Sequence, residues 1–275
     1  MADIKAADVA KLRKATGAGM MDCKKALVEA DGDFDKAIEE IRKKGQAIAN
    51  KRADREATEG VVLAKTTDDK KNGAVLILNC ETDFVAINED FVKFANSILD
   101  KALESKVTSL DDLKNIELDG AKIGDLVAEK SGIIGEKIEL SAFAQASSDM
   151  VVPYIHPGNK LATLVAFNKE IDTQAGRNIA MQVAAMSPVS VDKDNVPEDV
   201  IAKELEIGRE QARLDGKPEA MLDKIAQGKL GKFFKENTLM NQIYVKDGKA
   251  TVATYLKSVD ADAKVNTFER FSLNA

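Results

Sequence analysis

One pattern of elements occurs twice in this sequence, and it limits the folds that the chain can adopt. A strand, a polar turn, a second strand and an amphipathic helix follow one another at residues 60–103 and again at residues 150–186. The apolar residues of each helix recur at the spacing of a single helical face. They are Phe91, Phe94, Ala95, Ile98, Leu99 and Ala102 in the first helix, and Ala175, Ile179, Val183 and Met186 in the second. The sequence therefore predicts an α+β protein with two sheet-plus-helix subdomains, which share a pattern rather than residues.

Helices are predicted on either side of this pattern. Residues 1–45 carry three short apolar stripes, which predict a three-helix domain whose last helix ends at Gly45. Residues 198–215 and 218–237 have few apolar and many charged positions, which predicts an antiparallel helical hairpin projecting from the body. The remaining predictions are a helical segment with glycine breaks at 108–132, a strand at 136–147, a short helix at 251–256 and a last strand at 265–273.

These elements suggest three units. We predict an N-terminal three-helix domain and linker at residues 1–54, a first core subdomain at 55–149 and a second at 150–275. The helical hairpin would be an insertion in the second subdomain, at about residues 197–238.

Two stretches contain apolar residues that a core does not obviously explain. Met20 and Met21 are adjacent, so both cannot face one small core, and at least one should lie at the surface beside the glycine loop. In the second stretch, an apolar run from Val75 to Leu78 breaks into a polar segment just before Phe84. There Thr82 or Asp83 could cap a following helix. The residues alone favour a buried Phe84, and an exposed contact tip is the alternative.

Composition limits the cellular context and the partners. Forty basic and forty-six acidic residues give a net charge of −6, which argues against a polyphosphate partner such as a nucleic acid. Two cysteines, Cys23 and Cys80, are too few for a disulfide framework and fit a reducing compartment. No apolar run approaches the ~20 residues that span a bilayer, and the N-terminus lacks a signal-peptide pattern. We therefore expect a soluble cytoplasmic protein that binds neither membrane nor nucleic acid directly.

Residues for catalysis are hard to find. His156 is the only histidine, which leaves little material for histidine-based zinc sites or Ser-His-Asp triads. The Gly17-Ala18-Gly19 loop lacks the third glycine of a dinucleotide-binding loop, and no phosphate-binding loop is present. Gly228 and Gly231 have the spacing of an RNA-binding GxxG clamp but fall inside a predicted helix. The sequence predicts a binding protein without cofactor or metal rather than an enzyme.

An RNA-associated scaffold is the competing class. It would use a cluster of basic residues around the end of the three-helix domain. They are Lys43, Lys44, Lys51, Arg52 and Arg55. The net charge of −6 counts against this alternative.

Two long segments resemble the diagnostic motifs of the bacterial elongation factor Ts family. They are Thr16-Gly17-Ala18-Gly19-Met20-Met21-Asp22-Cys23-Lys24-Lys25-Ala26-Leu27 and Asn79-Cys80-Glu81-Thr82-Asp83-Phe84-Val85-Ala86. The order of the other elements agrees with that family over essentially the whole chain. The resemblance implies an N-terminal domain of the UBA-like type and a guanine nucleotide exchange factor for elongation factor Tu.

The resemblance also implies which residues contact the partner. Leu12, Met20 and Met21 would be apolar contacts to the nucleotide-binding domain of elongation factor Tu. The segment Thr82, Asp83, Phe84 and Val85 would insert near the partner's magnesium site and displace the ion, which reverses the preference for a buried Phe84. His156 resembles a further contact position, although a turn or capping role fits it equally.

The resemblance has one departure. Some members of the family continue past the last strand into a further helical module, whereas this sequence has Ala275 soon after Phe271. Affinity is therefore expected to depend more on the N-terminal domain and the second subdomain. The helical hairpin mediates dimerisation in some relatives, so a homodimer through the hairpin is a further expectation.

Overall fold

The computed structural model describes residues 4–273. The first three helices form a small domain around a common apolar core that contains Leu12, Cys23, Leu27 and Ile41. They are α1 (Ala6–Thr16), α2 (Met20–Glu29) and α3 (Phe34–Lys51). Asp33 caps α3 by accepting a hydrogen bond from the backbone N–H of Lys36 at 3.1 Å.

Two three-stranded antiparallel sheets follow, and their strand orders are β1-β2-β5 and β6-β7-β8. The first subdomain comprises β1 (Glu59–Thr66), β2 (Asn72–Cys80), α4 (Asp83–Ala86), α5 (Glu89–Ser105), α6 (Leu110–Asn115), β3 (Glu117–Leu118), β4 (Ala121–Lys122), α7 (Ile123–Ile134) and β5 (Glu139–Ser147). The second comprises β6 (Met150–Ile155), β7 (Leu161–Phe167), α8 (Thr173–Met186), α9 (Glu198–Leu214), α10 (Leu222–Asn237), α11 (Val252–Val259) and β8 (Val265–Ser272). The predicted α+β class is confirmed.

The two sheets pack face to face. Val62 and Val75 of the first sheet share a buried cluster with Ala162 of the second. At Gly73 the sheets are so close that an added Cβ would lie 2.7 Å from side-chain atoms of Val151 and Leu164. Helix α5 covers the outer face of the first sheet and α8 covers that of the second, so each amphipathic helix buries its apolar face. The last strand, β8, pairs with β7, which confirms its predicted return to the second subdomain.

Two local predictions are wrong. The third helix does not end at Gly45 but continues to Lys51. Gly45 does not mark a helix end; it lies inside α3, where α3 crosses α7. A Cβ added to Gly132 of α7 would overlap the Cα of Gly45, so the crossing requires glycine on both helices. Residues 108–132 are not helical throughout, because β3 and β4 form a tight hairpin. Its turn residues, Asp119 and Gly120, have φ values of +52° and +78°, as a two-residue hairpin with an Asp-Gly turn requires.

The helical hairpin forms as predicted between α8 and α11. Helices α9 and α10 pack closely at Gly208, where an added Cβ would lie 3.0 Å from the Cα of Ala226. Leu214 lies next to the turn and its side chain is 80% exposed. Homodimerisation through this hairpin stays a prediction. Among the described helices, none is both long and apolar enough to cross a membrane.

Candidate protein-docking site

A sharp corner between β2 and α5 presents an aromatic ring to solvent. We call residues 82–85 the tip. Thr82 caps the one-turn helix α4, since its hydroxyl accepts a hydrogen bond from the backbone N–H of Val85 at 3.5 Å. Asn88 caps α5 by accepting from the N–H of Asp90 at 2.9 Å. Two caps so close together allow α4 only one turn, and that turn buries Ala86 rather than Phe84.

The ring of Phe84 is 78% exposed, so the interpretation drawn from the residues alone, a buried Phe84, is wrong. Val85 lies half-buried against the first core, and Asp83 is exposed at the start of α4. The prediction that Thr82 or Asp83 caps a helix is confirmed for Thr82. Because an exposed phenylalanine gains free energy only when another surface covers it, the tip has the properties of a contact element.

The carboxylate of Glu136 holds the base of the tip. One oxygen accepts hydrogen bonds from the backbone N–H groups of Glu81 and Thr82, at 3.1 and 3.0 Å. The other oxygen accepts from the Thr82 hydroxyl at 2.7 Å. The thiol of Cys80 adds a hydrogen bond to the carbonyl oxygen of Thr82 at 3.1 Å. Burial, reinforced by the charge of Glu136, raises the pKa of the Cys80 thiol to about 12, so this cysteine stays protonated and unreactive.

Glu81 connects the base of the tip to the end of the three-helix domain. Its carboxylate accepts hydrogen bonds from the backbone N–H of Lys137 at 2.6 Å and from the guanidinium of Arg52 at 2.7 Å. The guanidinium of Arg55 approaches the same carboxylate at 3.3 Å. The Lys137 N–H, followed by Arg52 and Arg55, holds the pKa of Glu81 below its ordinary value. Glu81 therefore stays ionised at neutral pH and ties the linker to the tip.

The three-helix domain exposes both predicted methionines. Met20 and Met21 are 44% and 66% exposed at the start of α2, in agreement with the argument that they cannot share one core. Leu12 is completely buried in the core of the same domain. It supports the position of α2 from inside and adds no apolar surface of its own in this structure.

The structure brings the glycine loop before α2 and the tip to one groove, although Leu12, Met20 and Met21 do not line it. This groove has a volume of about 320 Å³ and is lined by residues of both regions, among them Gly17, Phe84, Phe91, Lys130 and Ile133. Ile133 of α7 also packs against the core of the three-helix domain. The glycine loop before α2 and the tip are therefore neighbours on one face of the molecule, although more than sixty residues separate them in the sequence.

His156 lies exposed in the turn between β6 and β7. Its Nδ1 is 3.0 Å from the hydroxyl of Tyr154, which orients the ring. The turn is attached to the first sheet, since Lys160 pairs with Glu59 at 2.8 Å. The pKa of Lys160 is raised chiefly by its hydrogen bond with Glu59. The contact role of His156 stays a prediction.

The basic cluster that suggested RNA is largely neutralised. Lys43 pairs with Glu39 and Glu40, and Lys44 pairs with Asp22. Arg52 and Arg55 both bind Glu81. Of the five basic residues, four are therefore engaged with carboxylates within the chain, which weakens the case for a phosphate-binding surface. In the part of the chain that the structure describes, no three His, Cys, Asp or Glu side chains are grouped to hold a metal ion.

Sequence reasoning did not identify the residues that support the tip. Glu81 belongs to the second motif that resembles the family, but from the sequence its partners Arg52 and Arg55 are candidates only for an RNA-binding surface. Glu136 follows Gly135, which ends α7 with a φ of +79°, and nothing in the sequence links it to residues 81–82. The glycine after a helical stripe marks the helix end, but it does not indicate where the next side chain points.

An exposed aromatic tip and a pair of exposed methionines, on an α+β body with a three-helix domain, are the features of a protein-interaction factor. A family model described as elongation factor TS matches residues 81–275. The chain is 52% identical over 275 residues to elongation factor Ts of Christiangramia forsetii, covering 99% of this chain and 100% of the relative. It is 53% identical over 275 residues to that of Amoebophilus asiaticus, covering 99% of each chain. It is 41% identical over 326 residues to that of Bacteroides thetaiotaomicron, covering 98% of each.

The chain belongs to the elongation factor Ts family. Membership makes it a translation elongation factor, and the family implies elongation factor Tu as its partner.

Proposed function

We propose that this protein is a guanine nucleotide exchange factor that releases GDP from elongation factor Tu and undergoes no covalent chemistry itself. The observation that carries the proposal is the exposed Phe84 ring on a corner that Glu136 holds in place. A second exposed apolar site, Met20 and Met21, lies at the start of α2, just after the glycine loop whose Gly17 shares a groove with Phe84. The three-helix domain docks on the nucleotide-binding domain of the partner, and the tip enters near its magnesium site.

The mechanism follows from linkage between binding events. GDP and Mg²⁺ bind a GTPase cooperatively, because the ion neutralises phosphate charge. A factor that binds the conformation unable to hold Mg²⁺ weakens nucleotide binding, and the nucleotide weakens binding of the factor by the same ratio. Burying the Phe84 ring in a partner cleft supplies about 1.5–3 kcal/mol toward that distortion. Asp83 would enter beside the ring as an exposed acid.

The proposal is tested by the release of fluorescent GDP from elongation factor Tu with and without this protein. We expect release to accelerate with the concentration of the protein and then to saturate. The apparent affinity should change little between low and moderate salt, since the contacts are mainly apolar. An unchanged release rate would refute the exchange function. Binding to RNA that weakens steeply with salt would favour the scaffold alternative.

Replacing Met21 with alanine should weaken docking without affecting the fold. Truncation of one exposed apolar contact typically costs about 1 kcal/mol of binding free energy, so we expect the half-saturating concentration in the release assay to rise about fivefold. Met221→Ala is the matched control, because Met221 is an exposed methionine on the helical hairpin. Equal effects of the two substitutions would contradict a specific docking site at Met21.

A further inference from the structure

A single carboxylate determines how the tip is presented. Glu136 accepts three hydrogen bonds, all from Glu81, which follows β2, and from Thr82, the first residue of the tip. Two of the donors are backbone N–H groups of consecutive residues, Glu81 and Thr82, and both converge on the same oxygen. Because a backbone N–H has a fixed direction relative to its peptide plane, two such bonds to one atom restrict the conformation of the intervening backbone.

The contact is reciprocal. The backbone N–H of Lys137, the residue after Glu136, donates to the carboxylate of Glu81 at 2.6 Å. Glu136 thus binds the backbone of residues 81–82, and Glu81 binds the backbone of Lys137 in return. Glu136 is only partly exposed, and its three hydrogen bonds hold the carboxylate against the end of β2.

The surroundings leave Glu136 little freedom. Gly135 ends α7 in the left-handed region at φ +79°, and Ile138, two residues after Glu136, is buried in the core. Ser131 of α7 accepts a hydrogen bond from the N–H of Ile138 at 2.9 Å, so the loop that carries Glu136 is held at both ends. The Glu136 carboxylate is therefore held in one position, and it holds residues 81–82 in turn.

We propose that Glu136 is a positioning residue for nucleotide exchange, which sets the Phe84 ring in its inserting orientation before the partner arrives. This inference rests on the exchange function proposed above. Without the three hydrogen bonds, residues 81–82 would sample several conformations, and the cost of ordering them would be added to the barrier for insertion. The effect of Glu136 is therefore transmitted through Phe84 and requires no contact with the partner.

The experiment measures fluorescent GDP release from elongation factor Tu over a range of concentrations of each full-length variant. We expect Glu136→Ala to lower the maximal release rate about tenfold, with a smaller change in the half-saturating concentration. Glu136→Gln should remain within about threefold of the wild type. Its amide oxygen can accept from the two N–H groups, while its NH₂ donates to the Thr82 hydroxyl. Glu139→Ala is the matched control, because Glu139 is an exposed carboxylate that pairs with Lys137 Nζ at 3.2 Å.

Coupling to Phe84 separates positioning from a general structural role. In the Phe84→Ala background, Glu136→Ala should lower the rate less than twofold further, since the ring that it positions is gone. A full tenfold loss in that background would overturn the inference. So would a Glu136→Gln variant as slow as Glu136→Ala, because the charge rather than the geometry would then be what matters. Full activity of Glu136→Ala would overturn it directly.

The failure of the inference and the failure of the proposed function are distinguishable. If Phe84→Ala itself leaves release unchanged, the tip has no role and the proposed mechanism falls. If Phe84→Ala slows release and Glu136→Ala does not, only the positioning role falls. Circular dichroism and thermal unfolding establish that each variant is folded at the assay temperature. Should Glu136→Ala unfold, Glu136→Asp keeps the charge but is one methylene shorter; a fall of about fivefold supports positioning and wild-type activity overturns it.

Discussion

Replacement of Phe84 by alanine should slow the release of GDP from elongation factor Tu about tenfold to a hundredfold. The ring is 78% exposed in the free protein and would be buried in the complex. Burial of such a side chain is worth about 1.5–3 kcal/mol. Each ~1.4 kcal/mol of lost transition-state stabilisation lowers a rate tenfold. The measurement is the maximal rate of fluorescent GDP release at saturating concentrations of the variant.

The same substitution should leave the protein folded. An exposed side chain outside any cap or core typically changes the free energy of unfolding by less than about 0.5 kcal/mol. Leu214→Ala provides the matched control, because Leu214 is 80% exposed but lies at the turn of the helical hairpin. If elongation factor Tu releases GDP at the wild-type rate with Phe84→Ala as well as with Leu214→Ala, the tip is not the element that drives exchange.

Replacement of Gly132 by alanine should lower the free energy of unfolding by about 1–3 kcal/mol, the usual range for overpacking at a closely packed position. The added methyl group would overlap the Cα of Gly45, so α3 and α7 would have to separate. This crossing joins the three-helix domain to the first subdomain, close to the salt bridge between Arg42 and Glu129 at 3.4 Å. Separation would also shift Met20 and Met21 relative to the tip. We therefore expect weaker docking in the release assay.

Gly228→Ala is the control for this prediction. Gly228 lies inside α10, where an added Cβ meets nothing within 4 Å. Alanine is favoured over glycine inside a helix by about 0.5–1 kcal/mol, so this variant should be slightly more stable than the wild type. Urea unfolding followed by circular dichroism compares the two variants. Equal stability changes would show that the crossing tolerates a methyl group, and that its close packing has no energetic role.

Most elements were predictable because their signals are local. The apolar stripe from Phe91 to Ala102 specifies the face of α5, and the alternation at residues 265–273 specifies β8. Asp119-Gly120 is a hairpin signal that the helical interpretation of residues 108–132 passed over. Gly45 shows the limit of such signals. A glycine that ends a helix and a glycine that lets another helix approach have the same sequence pattern, and only the packing partner distinguishes them.

The candidate site could be predicted in part. Adjacency alone placed a methionine of the Met20-Met21 pair at the surface, and family motifs identified residues 82–85. The residues alone favour a buried Phe84, but two helix caps, Thr82 and Asn88, limit α4 to one turn and leave the ring exposed.

The sequence by itself determined the α+β class, the repeated sheet-plus-helix pattern, the projecting hairpin and the membership of the elongation factor Ts family. These depend on periodicity and on motifs of consecutive residues, which are local in the sequence. Only the tertiary structure decided which side chains lie at the surface and what holds them. It buries Leu12, exposes Phe84, and brings Glu136 to the backbone of residues 81–82 from more than fifty positions away. Contacts of that kind depend on how α7 and β5 pack beside β2, and no local pattern encodes this arrangement.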